Sequence, residues 1–265
     1  MSIALFKHTF KKNWSLLLIF FGVLTMYITI MIAMFDPDDM EAITSMLELF
    51  PPDLMAAMGF SQLVSDLTSY LASWLYGLLM FGFPMVYCII LGNRLVAKKV
   101  DNGSFASYLS TPVSRSKIIF TQGLYALLST AVLFAAVFGV GVATSEILHP
   151  GLLEIDRFLQ LNITTMLVNM AVMMICFFFS CLFNDSSFSS GFGAGLPITF
   201  LLLNMLGGTS SDLEILKKFS LYGWYDPIDL VRGDVDWMIN LIYLSITLIL
   251  FAASMIIFRR KQLPI

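Results

Sequence analysis

Side chains that could do chemistry are few and scattered in this chain. It has two histidines, His8 and His149, and three cysteines, Cys88, Cys176 and Cys181. No H-E-x-x-H pair and no Cys or His grouping at metal-ligand spacing occurs, so zinc chemistry has no ligand set. No G-x-x-x-x-G-K-[ST] occurs to cradle nucleotide phosphates, and no G-x-S-x-G marks a serine nucleophile. The chemistry that remains is recognition, and it gathers in Asn93–Lys117, which reads NRLVAKKVDNGSFASYLSTPVSRSK. Asp101-Asn102-Gly103 is a turn signal. Ser104 is expected to N-cap a short helix over Phe105–Leu109, and Pro112 to end it. Arg115 and Lys117 then mark the entry to an apolar run. A short capped helix held between two such runs suits contact with a soluble partner.

The elements that position this loop are six stretches without Asp, Glu, Lys, Arg or His: Ser15–Phe35, Tyr70–Gly92, Ile118–Val142, Ile163–Phe183, Phe188–Gly208 and Met238–Phe258. About 20 apolar residues cross the hydrocarbon core of a bilayer as a helix. Backbone polar groups in lipid must be bonded internally, so each run predicts a spanning helix. With 58% hydrophobic and 12% charged residues, the chain is no soluble domain. The expected fold is all-α: one six-helix domain over residues 1–265, with no connection long enough for a second.

Charge sorting orients the spans. One set of segments (the N-terminus, the loop between spans two and three, the turn between spans four and five, and the C-terminus) holds Lys7, Lys11, Lys12, Arg94, Lys98, Lys99, Arg115, Lys117, Arg259, Arg260 and Lys261. Those are 11 of the 15 Lys and Arg, against only Asp101 and Asp185 of the 18 acids. Short-loop Lys/Arg bias puts that face, and both termini, in the cytoplasm. A cell-membrane protein follows, its first span a signal anchor rather than a cleaved signal. His8 and His149 then lie on opposite sides of the bilayer.

The connecting segments predict further elements. Ile3, Phe6, Phe10 and Trp14 share one helical face, opposite His8, Lys11 and Lys12, which predicts an amphipathic interfacial helix over residues 2–14. Met40, Ile43, Met46, Leu47 and Phe50 predict a surface helix in the acidic outer loop 36–69. Thr209–Trp237 is too apolar for a solvated loop and predicts short helices dipping into the outer leaflet, with Trp224, Tyr225 and Trp237 at the interface. Pro84 in span two and Pro197 in span five predict kinks whose freed carbonyls find other partners. Gly191-x-x-x-Gly195 permits close helix packing, within the subunit or across a dimer. No ionisable group lies in any span, so ion coupling has no site there. Asn169, Asn204, Gln122 and Thr199 are expected to bond between helices, and the three cysteines to pack.

The loop also carries a resemblance. Asp101-Asn102-Gly103-Ser104-Phe105, then Tyr108-Leu109-Ser110-Thr111-Pro112-Val113-Ser114-Arg115-Ser116-Lys117, resembles the signature of ABC-2-type transporter permeases. That pattern has an acid, Gly-Thr, and a short helix ending in Leu-Leu-Ser-x-Pro-Val-Ser-Arg. Asp101-Asn102 replaces a Glu-rich stretch, and Ser104 replaces Thr. The resemblance implies a coupling helix, with Asp101, Gly103, Ser104, Phe105, Tyr108, Pro112 and Arg115 docking on a separate ABC ATPase. It implies two ATPase copies, which bind ATP and Mg, and a second permease, identical or related. This chain would bind no cofactor or metal of its own, would contact the lipid bilayer and no nucleic acid, and would have no catalytic activity. The resemblance also implies that spans two and five face the second permease, which would put Pro84, Gly191, Gly195 and Asn204 near the dimer axis and the pathway. Export of an amphipathic or hydrophobic substrate (a peptide, a lipid-like molecule or a drug) is the leading expectation. An ATPase-coupled sensor or scaffold, and an unrecognised intramembrane enzyme, are the alternatives.

Overall fold

The structure is a computed structural model, described for residues 1–36, 51, 66–110, 113–209, 213–224, 226–233 and 237–262. Among the described residues there is no strand, and six helices are long and apolar enough to cross a membrane. The elements are α1 Ile3–Ala33, α2 Leu67–Leu71, α3 Leu79–Leu95, α4 Ala97–Asp101, α5 Ala106–Leu109 and α6 Arg115–Leu148. They continue with α7 Ile155–Leu182, α8 Ser186–Thr209, α9 Ile215–Lys218, α10 Pro227–Arg232 and α11 Met238–Arg260. The surface helix expected over 40–50 and the stop at Pro112 lie outside the described residues.

The helices pack around α7, which contacts α3, α6, α8, α10 and α11 and is the most enclosed of the six. α1 lies along α6 and α3 on one side. α1, α8 and α11 turn open apolar faces outward: Leu18, Ile19 and Met26, then Phe188, Leu202 and Leu206, then Leu241, Leu248 and Ile249. In lipid such faces need no cover.

The N-terminal segment is not a separate interfacial helix. Residues 3–14 are the first turns of α1, which runs 31 residues without a break. At 1.5 Å per residue that is about 46 Å, well beyond the ~30 Å hydrocarbon core. The extra turns are held by α6. Ser2 N–H donates to Thr121 Oγ1 at 2.9 Å, Thr9 Oγ1 and Gln122 bond at 3.2–3.3 Å, and Phe6 packs edge-on against Tyr125. Ile3, Phe10 and Trp14 stay exposed, so the expected apolar stripe still faces outward.

Span two is broken rather than a single helix over 70–92. After α2 the chain makes a wide π-helical turn, Ala72–Tyr76, and restarts at α3 past Leu78. A second break at Val96 gives α4. The outer connection before α11 folds inward, as its apolar content predicts. Ser220 Oγ donates to the Phe200 carbonyl at 2.6 Å, nine residues before the end of α8. Nine residues are about 13 Å of helix, so this segment reaches well below the rim. Tyr243 Oη bonds the Leu221 carbonyl at 2.9 Å, and the Phe81 and Tyr222 rings meet at 4.9 Å. Asp226 caps α10 through Ile228 N–H at 2.8 Å, and burial pushes its carboxyl above the usual range.

Candidate functional site: the loop at the basic end of the bundle

α4 ends where Gly103 takes a left-handed φ of 72°, a conformation that costs a residue with a Cβ about 1–2 kcal/mol. Gly103 N–H returns to the Val100 carbonyl at 3.1 Å, and Phe105 N–H reaches the Lys99 carbonyl at 2.8 Å. The turn then closes on itself: Asn102 Oδ1 accepts from Ser104 N–H at 3.1 Å and from Ser104 Oγ at 2.7 Å. Ser104 therefore does not cap the next helix. α5 begins at Ala106, one residue later than expected, with no side-chain cap. The hydroxyl is already committed to the Asx-type turn, which competes with capping.

Two rings moor this short helix. Phe105 is buried, 5.2 Å from the Phe258 ring and 5.8 Å from Tyr108. Tyr108 lies under the Lys99 ammonium at 4.8 Å and meets the His8 ring at 6.5 Å. Burial raises the Tyr108 hydroxyl above its ordinary pKa. Asp101, Asn102, Ser104, Ser107 and Ser110 face outward, so the exposed edge is small, polar and uncharged apart from one acid.

Both ends of the loop are tied to other spans. Asp101 Oδ2 accepts from Ser186 Oγ at 2.8 Å, at the start of α8. Ser114 caps α6 through Lys117 N–H at 3.4 Å. Arg115 donates to the Lys261 carbonyl at 3.1 Å. Lys261 Nζ in turn donates to the Cys181 and Phe183 carbonyls at 2.9 and 2.7 Å, closing the C-terminus of α7. A cation is favoured at that end of a helix dipole. Burial nonetheless pushes the Lys261 amine down to about 8.

Behind the loop, α7 completes the broken spans. A proline leaves the carbonyl four residues earlier without its helical N–H. For Pro84 that is Met80, whose carbonyl accepts from Asn169 Nδ2 at 3.2 Å. For Pro197 it is Gly193, whose carbonyl accepts from Cys176 Sγ at 3.1 Å. Tyr76 Oη in the π turn donates to Asn162 Oδ1 at 3.0 Å, and Ala97 N–H past the second break donates to Ser180 Oγ at 2.8 Å. Asn162, Asn169 and Cys176 recur at a seven-residue spacing, with Ser180 four further on, so all share one face of α7. Gly92 lets that face come close: a Cβ there would stand 2.7 Å from Cys176 Cβ.

The structure places Asp101, Gly103 and Ser104 on the exposed turn, Phe105 buried beneath it and Tyr108 and Arg115 half-buried beside it, with Pro112 outside the described residues. The residues of the expected pathway set stand on α3 and α8, which pack against each other. Pro84 is buried within the subunit, Gly191 and Gly195 are exposed with open space beside them, and Asn204 is half-buried. Of the polar residues expected to bond between helices, Asn169 and Gln122 do, while Thr199 bonds its own Gly195 carbonyl. Lys261, Ser180, Ser186 and Cys176 carry contacts that sequence reasoning missed. For Cys176 a signal existed, since Pro197 announces a free carbonyl at Gly193. For Lys261 none did, because its partners are 80 and 78 residues away. Among the described residues no group of His, Cys, Asp or Glu could hold a metal.

An uncharged six-span bundle with a moored loop at its basic end defines a multi-pass membrane protein of permease type. A family model described as ABC-2 family transporter protein matches residues 5–263, and the chain belongs to that family. Membership makes it a permease component of an ABC transporter. No match was found among curated proteins.

Proposed function

We propose that this chain is the non-catalytic transmembrane subunit of an ATP-driven exporter, and that the Asp101–Lys117 loop receives the motion of a separate ATPase. The observation that supports this best is the double mooring of the loop. Asp101 ties it to α8 through Ser186, and Arg115 ties it through Lys261 to the end of α7. A load on the exposed edge passes to α7, and α7 holds the carbonyls that Pro84 and Pro197 leave free in their spans.

In this reading the basic end is cytoplasmic and both termini lie there, at the plasma membrane. Two ATPase subunits bind ATP and Mg, and a second permease, identical or related, completes the assembly. The substrate is amphipathic or hydrophobic (a peptide, a lipid-like molecule or a drug), because the spans offer only uncharged surface. The test is co-expression with an ABC ATPase from the same genome. Co-purification is expected, together with loss of it in a Gly103→Val, Phe105→Ala variant. Substrate-stimulated ATP hydrolysis is expected in reconstituted vesicles. A folded chain that recruits no ATPase would sink the proposal; an ATPase that binds and turns over without transport would make the chain a sensor.

A further inference from the structure

We propose that His8, Lys12, Lys99 and Tyr108 form a phosphate site at the headgroup level of the basic end, filled by an anionic phospholipid. The central residue is Lys99. It is 5% exposed on α4, which packs against α3, α7 and α8, and among the described residues its ammonium rests on the Tyr108 ring, at 4.8 Å. Among the described residues it has no ion-pair partner. Buried charges in proteins are ordinarily paired, because an unpaired one loses its hydration without return. Here the surroundings add to the load. Lys12, one helical turn beyond His8 on α1, opposes the Lys99 charge, and the His8 ring meets the Tyr108 ring edge-on at 6.5 Å. The nearest acid along the chain, Asp101, accepts from Ser186 instead. Three basic side chains in one cluster, with no carboxylate among the described residues paired to Lys99, call for an anion from outside the chain.

Depth favours a lipid as its source. Lys12 stands three residues before the uncharged run that begins at Ser15, which is about 5 Å of helix. Its neighbour Trp14 is 50% exposed, a residue type that marks the membrane–water interface. Lys99 stands seven residues beyond Gly92, and the break at Val96 turns the chain between them, so it lies less than the ~10 Å of a straight helix from the end of its own uncharged run. The headgroup layer on each side of the core is about 5–8 Å thick. A lipid phosphate between Lys12 and Lys99 therefore sits at its natural level, where each basic side chain strengthens binding about fivefold.

The test uses the full chain alone, so it does not depend on any ATPase. The chain is placed in discs of phosphatidylcholine or of phosphatidylcholine with phosphatidylglycerol, and retained lipid is read by native mass spectrometry alongside the thermal midpoint. Wild type is expected to retain phosphatidylglycerol and to gain stability from it. Lys99→Met and, at the exposed position, Lys12→Gln should each cut retention about fivefold, with Lys99→Arg near wild type and Lys98→Gln without effect. Equal losses in Lys98→Gln and Lys12→Gln would overturn the site in favour of a diffuse basic rim. Stabilisation by inorganic phosphate in pure phosphatidylcholine, matching that by phosphatidylglycerol, would keep the phosphate site and overturn the lipid as its source. If Lys99→Met retains phosphatidylglycerol as wild type does, the proposal falls.

Discussion

Asn169 and Cys176 show how one side chain decides whether a proline is tolerated in a span. Each donates to the carbonyl that its proline leaves open. Asn169→Ala should cost about 1–3 kcal/mol, the penalty for an unpaired buried acceptor. In a Pro84→Ala background the helical N–H returns, and the same change should cost markedly less. A thermal double-mutant cycle on purified protein checks this; equal costs in both backgrounds would refute the assignment. Lys261 makes a second residue-scale prediction. Its amine is pushed down to about 8 from an ordinary 10.5, so between those values the folded chain binds fewer protons than the unfolded one. Its contribution to stability therefore rises with pH across that window and falls as pH drops through about 8. The thermal midpoint of wild type should climb more steeply from pH 7.5 to 10 than that of Lys261→Met. The variant should also be the less stable at every pH, because two α7 carbonyls lose their donor.

At the scale of elements, span two is three helical pieces whose breaks are met by α7. Its tolerance for irregular backbone at membrane depth comes from being buried in protein rather than facing lipid. Gly92 makes the contact possible, and Gly92→Leu should push α3 off α7, lowering the thermal midpoint far more than Gly191→Leu, which meets open space. The proline kinks were legible in the sequence, because a missing N–H is a property of the residue itself. Their partners were not. Met80 and Asn169 are 89 residues apart, and only packing brings them together. The same holds for Ser104: its residue type favours a cap, but the competing Asn102 turn won.

At the scale of the whole molecule, the charges sort to two ends and the loop sits at the basic one. In a background without the three native cysteines, Ser107→Cys should react with membrane-impermeant thiol reagents only from the cytoplasmic side, and Met46→Cys only from outside. The reverse labelling would invert the orientation. Span number, their approximate bounds and the short helix between spans two and three were determined by the sequence alone, since hydrocarbon thickness, Lys/Arg bias and turn chemistry act on residue types in chain order. The tertiary structure decided which helix is central, where the loop is tied, and that the N-terminal turns continue α1 instead of lying apart. These depend on which faces meet, and a bundle of nearly uniform apolar helices settles that through a few buried polar contacts and close glycine approaches. Such contacts join residues far apart in the chain, so no local pattern records them.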